Sequence, residues 1–241
     1  MAKRGGTKHM KRLASPKAVL VHDKKDRKWM INTAPGPHPK KHSMSLGVFL
    51  RDIIGVATTA REAKRVLSAR SVLVDGKPRT DDKFPVGLMD VISLPKMNIH
   101  YRIMVDDKGR LMPVKLANAE SSHKFLKVVG KHTVSGGKHN LSFHDGKNML
   151  GDNHVHVGDT VIVSLPDTKL KTHLKREKGS RCLIVEGKHA GSIVNLKDII
   201  ERKGGKPNEA LVAVNGHEFI TVAKYLFVID DSFKGKDVKA G

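Results

Sequence analysis

TTAREAKRVLSARSVLVDGKPR, residues 58–79, changes its period halfway along, and that change decides the fold. Thr59 is followed three residues later by Glu62, the spacing of a capping box that opens a helix. The helix runs to about Ala69, with Ala60, Ala63, Val66 and Leu67 on the side that seeks a core. Arg61, Lys64, Arg65 and Ser68 fall at i, i+3, i+4 and i+7 and share the other side. From Ser71 the period drops to two. Ser71-Val72-Leu73-Val74 reads as a strand, Asp75-Gly76 as a tight hairpin turn, and Lys77, Pro78 and Arg79 leave that turn. Helix and hairpin make a corner with Arg61, Lys64 and Arg65 on one wall, Lys77 and Arg79 on the other, and Arg70 at the joint. Cations so spaced suit the phosphates of a folded nucleic acid, and arginine adds bidentate contact and stacking. The helix start at Thr58–Thr59 offers a further anion site. The competing reading is a solvated face neutralised by Glu62 and nearby acids.

Outward from this corner the chain divides by composition. SMSLGVFLRDIIG, 43–55, places Leu46, Phe49, Leu50, Ile53 and Ile54 on one helical stripe, with Ser43 or Ser45 to cap it and Gly55 to end it. VGLMDVISL, 86–94, reads as a strand that closes a small αα-β unit over 43–95. Residues 96–170 read as a β-rich central domain with turn signals at Asp106–Gly109, Ser135–Gly137, His144–Gly146 and Val157–Asp159. VGDTVIVSLP, 157–166, echoes VGLMDVISLP, 86–95, as a similar strand opening and not as a repeat. DTKLKTHLKREK, 167–178, reads as a charged linker. Short strands and glycine turns over 171–230 predict a small barrel with a hairpin at Asn215-Gly216, and 231–241 a loose tail. The fold class expected is α+β and multi-domain.

Charge defines the partner. The 241 residues carry 45 Lys and Arg against 24 Asp and Glu, a net of +21. A surplus of this size on a chain able to build a core points to a polyanion. Residues 1–42 alone hold 12 basic and two acidic side chains, and PGPHPKKH, 35–42, interrupts regular structure at their end. This segment reads as a basic extension that orders on its partner, with Lys3, Arg4, Lys8, Lys11, Arg12, Lys17, Lys40 and Lys41 as contacts and Trp29-Met30-Ile31 as a docked anchor. No apolar run is long enough to span a bilayer and the N-terminus lacks a signal-peptide core, so a soluble intracellular protein is expected.

Catalytic constellations are missing from the sequence. The single cysteine, Cys182, opens an apolar strand and reads as a core thiol. Fourteen histidines raise a metal site, with His154 and His156 two apart on an expected strand and His139 and His144 nearby, but paired cysteines are lacking and none is expected. No phosphate loop or nucleophile elbow occurs. With one Trp, two Tyr and seven Phe, contact with the backbone and shape of folded RNA is favoured over base-by-base reading.

TTAREAKRVLSARSVLVDGKPR also resembles the S4-type RNA-binding domain, with Thr59, Arg61, Glu62, Ala63, Val74, Asp75, Gly76 and Lys77 in the family's pattern. It departs from the commoner first-helix opening, Arg-Leu-Asp, with Ser45-Leu46-Gly47. CLIVEGKHAGSIV, 182–194, resembles a KOW motif, in which Gly187 and Gly191 shape the loop and Lys188 and His189 sit at its tip. The order of parts, from a basic arm with PGPHPKKH through an S4-type domain and a β-rich middle with NLSFHDGKN to a KOW-like end, resembles the S4e family of small-subunit ribosomal proteins over nearly the whole chain. The resemblance implies a structural, non-enzymatic component of the cytoplasmic ribosome, bound to small-subunit ribosomal RNA beside neighbouring ribosomal proteins. It implies no cofactor, no small-molecule substrate and no membrane. An RNA-modifying enzyme with an S4-type targeting module, or a transcription factor built around the KOW barrel, are the alternatives.

Overall fold

The structure is a computed structural model, and it describes residues 9–21, 23–214, 216–230 and 233. Lys3, Arg4 and Lys8 lie outside the described residues, as do Asn215 and most of the expected tail. Strands are numbered along the chain. The arm forms a ribbon of β1 (Met10–Lys11) and β2 (Trp29–Met30). Next come β3 (Ser43–Ser45), helix α1 (Leu46–Val48), which widens into a π-turn over Phe49–Ile53, and helix α2 (Ala60–Ser68). The hairpin is β4 (Leu73–Val74) and β5 (Lys77–Pro78), followed by β6 (Pro85–Gly87), which pairs with β3, and β7 (Val91–Leu94).

Sheet pairing does not stop where the sequence changes character. Strands β8 (Ile99–Val105) and β9 (Leu111–Leu116) extend the hairpin's own sheet, in the order β5-β4-β7-β8-β9. A second antiparallel sheet, β12-β11-β10-β13-β14, takes β10 (His123–Thr133), β11 (His139–Phe143), β12 (Asn148–Gly151), β13 (Thr160–Ser164) and β14 (Lys169–Leu174). The third, β18-β17-β16-β15-β19, is built from β15 (Arg181–Ile184), β16 (Ile193–Ile200), β17 (Glu209–Val214), β18 (His217–Val222) and β19 (Leu226–Val228).

Two sequence expectations are corrected here. Residues 169–174, read as linker, form β14 because an exposed edge strand tolerates the lysines that made it look unstructured, and lysine on an edge discourages pairing with other chains. Phe233, read as tail, is buried and meets Phe125 edge-on at 5.3 Å.

The core explains why three sheets make one body. The middle and C-terminal sheets each have their own apolar cluster, around Leu126, Val128, Leu141, Val161 and Val163 in one and Cys182, Ile184, Val194, Leu196 and Val212 in the other. A third, larger cluster joins the arm (Met10, Val19, Met30) and the α1/α2 unit to Phe125, Ile162, Leu183, Phe227 and Phe233. Strand alternation makes this sharing possible, since successive residues face opposite sides. In β15, Cys182 and Ile184 face the local cluster while Leu183 faces the shared one. In β10, Phe125 and Leu126 divide in the same way.

At the junction of the first and third sheets, Gly191 has φ +77°, and a Cβ there would lie 2.9 Å from the Val105 carbonyl oxygen and from the Asp106 carbonyl carbon. Both obstacles are backbone. Gly191→Ala should therefore lower stability by more than about 1 kcal/mol, through the left-handed φ and the crowding together. Urea unfolding of the variant beside the wild type measures this.

Candidate nucleic-acid interface

The capping box forms as its spacing requires. Thr59 Oγ1 accepts the Glu62 N–H at 3.2 Å, and Glu62 Oε2 accepts the N–H and hydroxyl of Thr58 at 2.9 and 2.8 Å and the N–H of Thr59 at 3.3 Å. The Thr58 hydroxyl, with the two backbone donors, holds the Glu62 carboxyl below its ordinary pKa. This corrects the reading of the α2 start as an open anion site, since the chain's own carboxylate fills it. Glu62 is thereby turned to the cap and forms no ion pair with Arg61 or Arg65 among the described residues; of the competing reading, which set Glu62 and nearby acids against this face, the Asp82 contact to Lys64 remains.

On α2, Ala63 and Leu67 are buried and Val66 is half-buried; Ala60, expected on the inner side, is exposed in the first turn. Arg61, Lys64 and Arg65 are exposed on the outer side, and Arg70 is exposed at the joint with φ +53°. Lys64 has a loose contact with Asp82 at 3.8 Å. Arg61, Arg65 and Arg70 have no ion-pair partner among the described residues. Across the corner, Lys77 is exposed and Arg79 stacks over the Phe84 ring at 4.4 Å.

The expected contacts elsewhere divide. Lys11, Lys17, Lys40, Lys41 and Lys188 are exposed, and so is His189, whose ring stacks on Phe219 at 4.1 Å. Arg12 differs from them. It is buried, its Nε donates to the Asp23 carbonyl at 2.6 Å, and its guanidinium faces Asp52 at 3.6 Å. It holds the arm to the body. Trp29-Met30-Ile31 also splits: Met30 is buried and Ile31 packs on Gly47, while Trp29 faces solvent. A Cβ on Gly47 would lie 2.7 Å from Ile31 Cδ1, so the departure from the family's first-helix pattern makes room for the arm. His154 and His156 lie in a loop flanking buried Val155 and not on a strand, and no three potential ligands meet among the described residues.

What positions the hairpin was not read from the sequence. Lys124, on β10, is fully buried and its ammonium meets three carboxylates: Asp75 at 2.6 Å, Asp90 at 2.6 Å and Asp145 at 3.1 Å. Lys147 reaches Asp75 and Asp145, and His38 of the arm lies 3.0 Å from Asp90. Burial by itself would raise the Asp90 pKa and lower that of Lys124. Their mutual attraction, with His38 and the other carboxylates, reverses both, so Asp90 is held far below and Lys124 above its ordinary value. Asp75 is the hairpin's turn residue, at φ +52°, and also accepts the Val91 N–H at 3.2 Å. At the neighbouring Gly76, φ +75°, a Cβ would stand 2.8 Å from Pro166 in the turn that joins β13 to β14. The turn that presents Lys77 and Arg79 is thus clamped from below by the middle of the chain.

A second clamp is His144. Its Nδ1 accepts the Lys127 N–H at 3.2 Å, which assigns the ring proton to Nε2, and Nε2–H donates to the Leu88 carbonyl at 3.1 Å. The ring also meets Phe227 edge-on at 5.4 Å. Burial lowers its pKa to about 4.

A short helical pair on a hairpin, with free arginines along its outer face, defines a class of protein: those that carry an S4 domain. Residues 46–92 match that domain, residues 4–41 match the RS4NT (NUC023) domain, and residues 97–170 match ribosomal family S4e. The chain is 39% identical over 229 residues to small ribosomal subunit protein eS4 of Methanosphaera stadtmanae, covering 95% of each. It is 42% identical over 200 residues to small ribosomal subunit protein eS4 of Korarchaeum cryptofilum, covering 83% of this chain and 85% of that one. The crystal structure of 30S ribosomal protein S4e from Thermoplasma acidophilum matches with a TM-score of 0.69 at 33% identity, covering 79% of this chain and 96% of that one. The chain belongs to ribosomal family S4e; it is a ribosomal protein and not an enzyme.

Two outcomes follow from the clamps. Lys124→Met leaves three buried carboxylates without their central cation and should cost about 3–5 kcal/mol in urea unfolding, with Lys124→Met/Asp90→Asn recovering part of the loss. For His144 the folded pKa lies below the unfolded value near 6.5, so the unfolded chain binds the extra proton. Stability is then complete above about pH 6.5 and falls as pH drops toward 4, by up to about 3 kcal/mol. Unfolding measured across that range should show a steeper loss for wild type than for His144→Gln, because the carboxylates are common to both.

Proposed function

We propose that the protein is a structural component of the small ribosomal subunit that binds folded ribosomal RNA beside neighbouring ribosomal proteins, in the cytoplasm. The observation that carries this is the outer face of α2. Arg61, Arg65 and Arg70 are exposed with no ion-pair partner among the described residues, and the nearest acid, Glu62, is withdrawn into the helix cap. Unpaired guanidinium groups beside Lys64, Lys77 and Arg79 form a surface for phosphates, and phosphate contacts supply affinity without reading sequence. The work is electrostatic and geometric: crowded phosphates are neutralised and RNA helices are bridged.

The reading extends to the parts on either side. The arm, 1–42, adds Lys3, Arg4, Lys8, Lys11, Lys17, Lys40 and Lys41, while Arg12 serves the fold. The S4-type unit over 43–95, the central part over 96–170 and the C-terminal part over 171–230 act as one clamp, with β8 and β9 pairing into the S4-type unit's sheet. The C-terminal part is a small barrel of the KOW kind. Its two strands pair Cys182 with Val194 and Leu183 with Ile193 around a loop with φ +99° at Gly187 and +77° at Gly191. That loop carries Lys188 and His189 outward.

Replacing Arg61, Lys64 and Arg65 with Glu tests the central claim. Affinity for small-subunit ribosomal RNA should fall with the fold intact by circular dichroism, and each lost phosphate contact should reduce the log–log salt slope by about 0.7 to 0.9. An unchanged slope would place the RNA elsewhere. Sedimentation with the small subunit through a high-salt wash tests the integral role, and loss to the light fractions would sink it.

A further inference from the structure

The β1–β2 ribbon sorts its residues by face. Met10 pairs with Met30, and both are buried; Lys11 pairs with Trp29, and both point out. The indole is the chain's one tryptophan, and 51% of its surface is open to water. Its backbone is fixed by the ribbon and by the Arg12 N–H bond to the Lys28 carbonyl at 3.0 Å. The ring therefore projects from a fixed stretch of backbone, with half of its surface open to water. Its surroundings are cationic. Lys28 Nζ lies 5.3 Å from the ring centroid and the His9 ring lies 5.7 Å away. Lys24 and Lys25 are exposed in the loop that leads into β2, and none of Lys11, Lys24, Lys25 and Lys28 has an ion-pair partner among the described residues. The local acids are committed: Asp26 pairs with Arg27 at 3.2 Å, and Asp23 receives the Lys25 N–H at 2.8 Å.

An exposed indole with the unpaired Lys11 and Lys28 beside it complements a base whose own phosphates flank it. A protein partner covering the indole would have to bury these lysines against acids of its own. We propose that Trp29 is a stacking platform for an unpaired base of the RNA, with Lys11 and Lys28 on the adjoining phosphates. This rests on the RNA-binding reading above but concerns a different face of the molecule from the α2 corner.

The single tryptophan is its own probe. Intrinsic fluorescence of the full chain is followed while a small-subunit ribosomal RNA transcript is added, with filter retention of labelled RNA run in parallel. Quenching should track retention, and inorganic polyphosphate, which has the charge without the bases, should not quench. Trp29→Ala should weaken RNA binding about tenfold with an unchanged salt slope, because stacking releases no counterions, and Trp29→Phe should keep most of the affinity. Retention without quenching, equal quenching by polyphosphate, or an unaltered affinity of Trp29→Ala would overturn the platform while leaving RNA binding intact. An absence of retention would overturn both readings together.

Discussion

The ammonium of Lys124 is the point on which the architecture turns. It sits fully buried between carboxylates from two different sheets, Asp75 and Asp90 on one side and Asp145 on the other. A buried ion cluster adds little net stability compared with apolar packing, because desolvation offsets most of the attraction. What it adds is geometry. A sliding movement between the two sheets would carry Lys124 and Asp145 away from Asp75 and Asp90 and weaken two buried ion pairs at once, whereas an apolar contact would tolerate the shift. The hairpin of the S4-type unit therefore has one resting place on the central sheet, and Arg61, Arg65 and Lys77 inherit that fixed relation.

The second organising constraint is the use of both faces of single strands. Cys182 and Ile184 serve the C-terminal sheet and Leu183 serves the shared core; Leu226 and Phe227 divide in the same manner. Each sheet thus closes its own cluster and contributes a side to a common one. Cys182 takes part only as a core residue, and burial pushes its thiol up to about 11, which leaves it protonated and unreactive at neutral pH.

Local signals were legible in the sequence. Thr59 and Glu62, three apart, formed the cap, and the i, i+3, i+4 spacing put Arg61, Lys64 and Arg65 on one exposed face, because both relations are set by helix geometry alone. Asp75-Gly76 was legible as a turn for the same reason. The second role of Asp75 was not, since its cation comes from Lys124, 49 positions away, and a lysine in a strand carries no mark of burial. Arg12 looked like one more cation in a basic arm until its contact with Asp52, forty positions on, turned it inward. Residues 169–174 looked like linker because an edge strand has no hydrophobic face to advertise. Trp29 and Met30 are neighbours with opposite fates, and only the pairing register of the ribbon separates them.

The route of the arm has a consequence for the order of assembly. The Ala18 carbonyl accepts the Leu111 N–H at 2.7 Å, and Val19 and Leu111 form a parallel bridge, although Ala18 and Leu111 are 93 positions apart in the chain. Arg12 on Asp52 and Ile31 on Gly47 join the arm to the α1 segment, but this further contact spans the whole S4-type unit and can close only against a formed β9. Contacts of such long loop closure are the slow ones to form, so the seating of the arm on this sheet edge is expected late, after the local hairpins that the sheet itself needs.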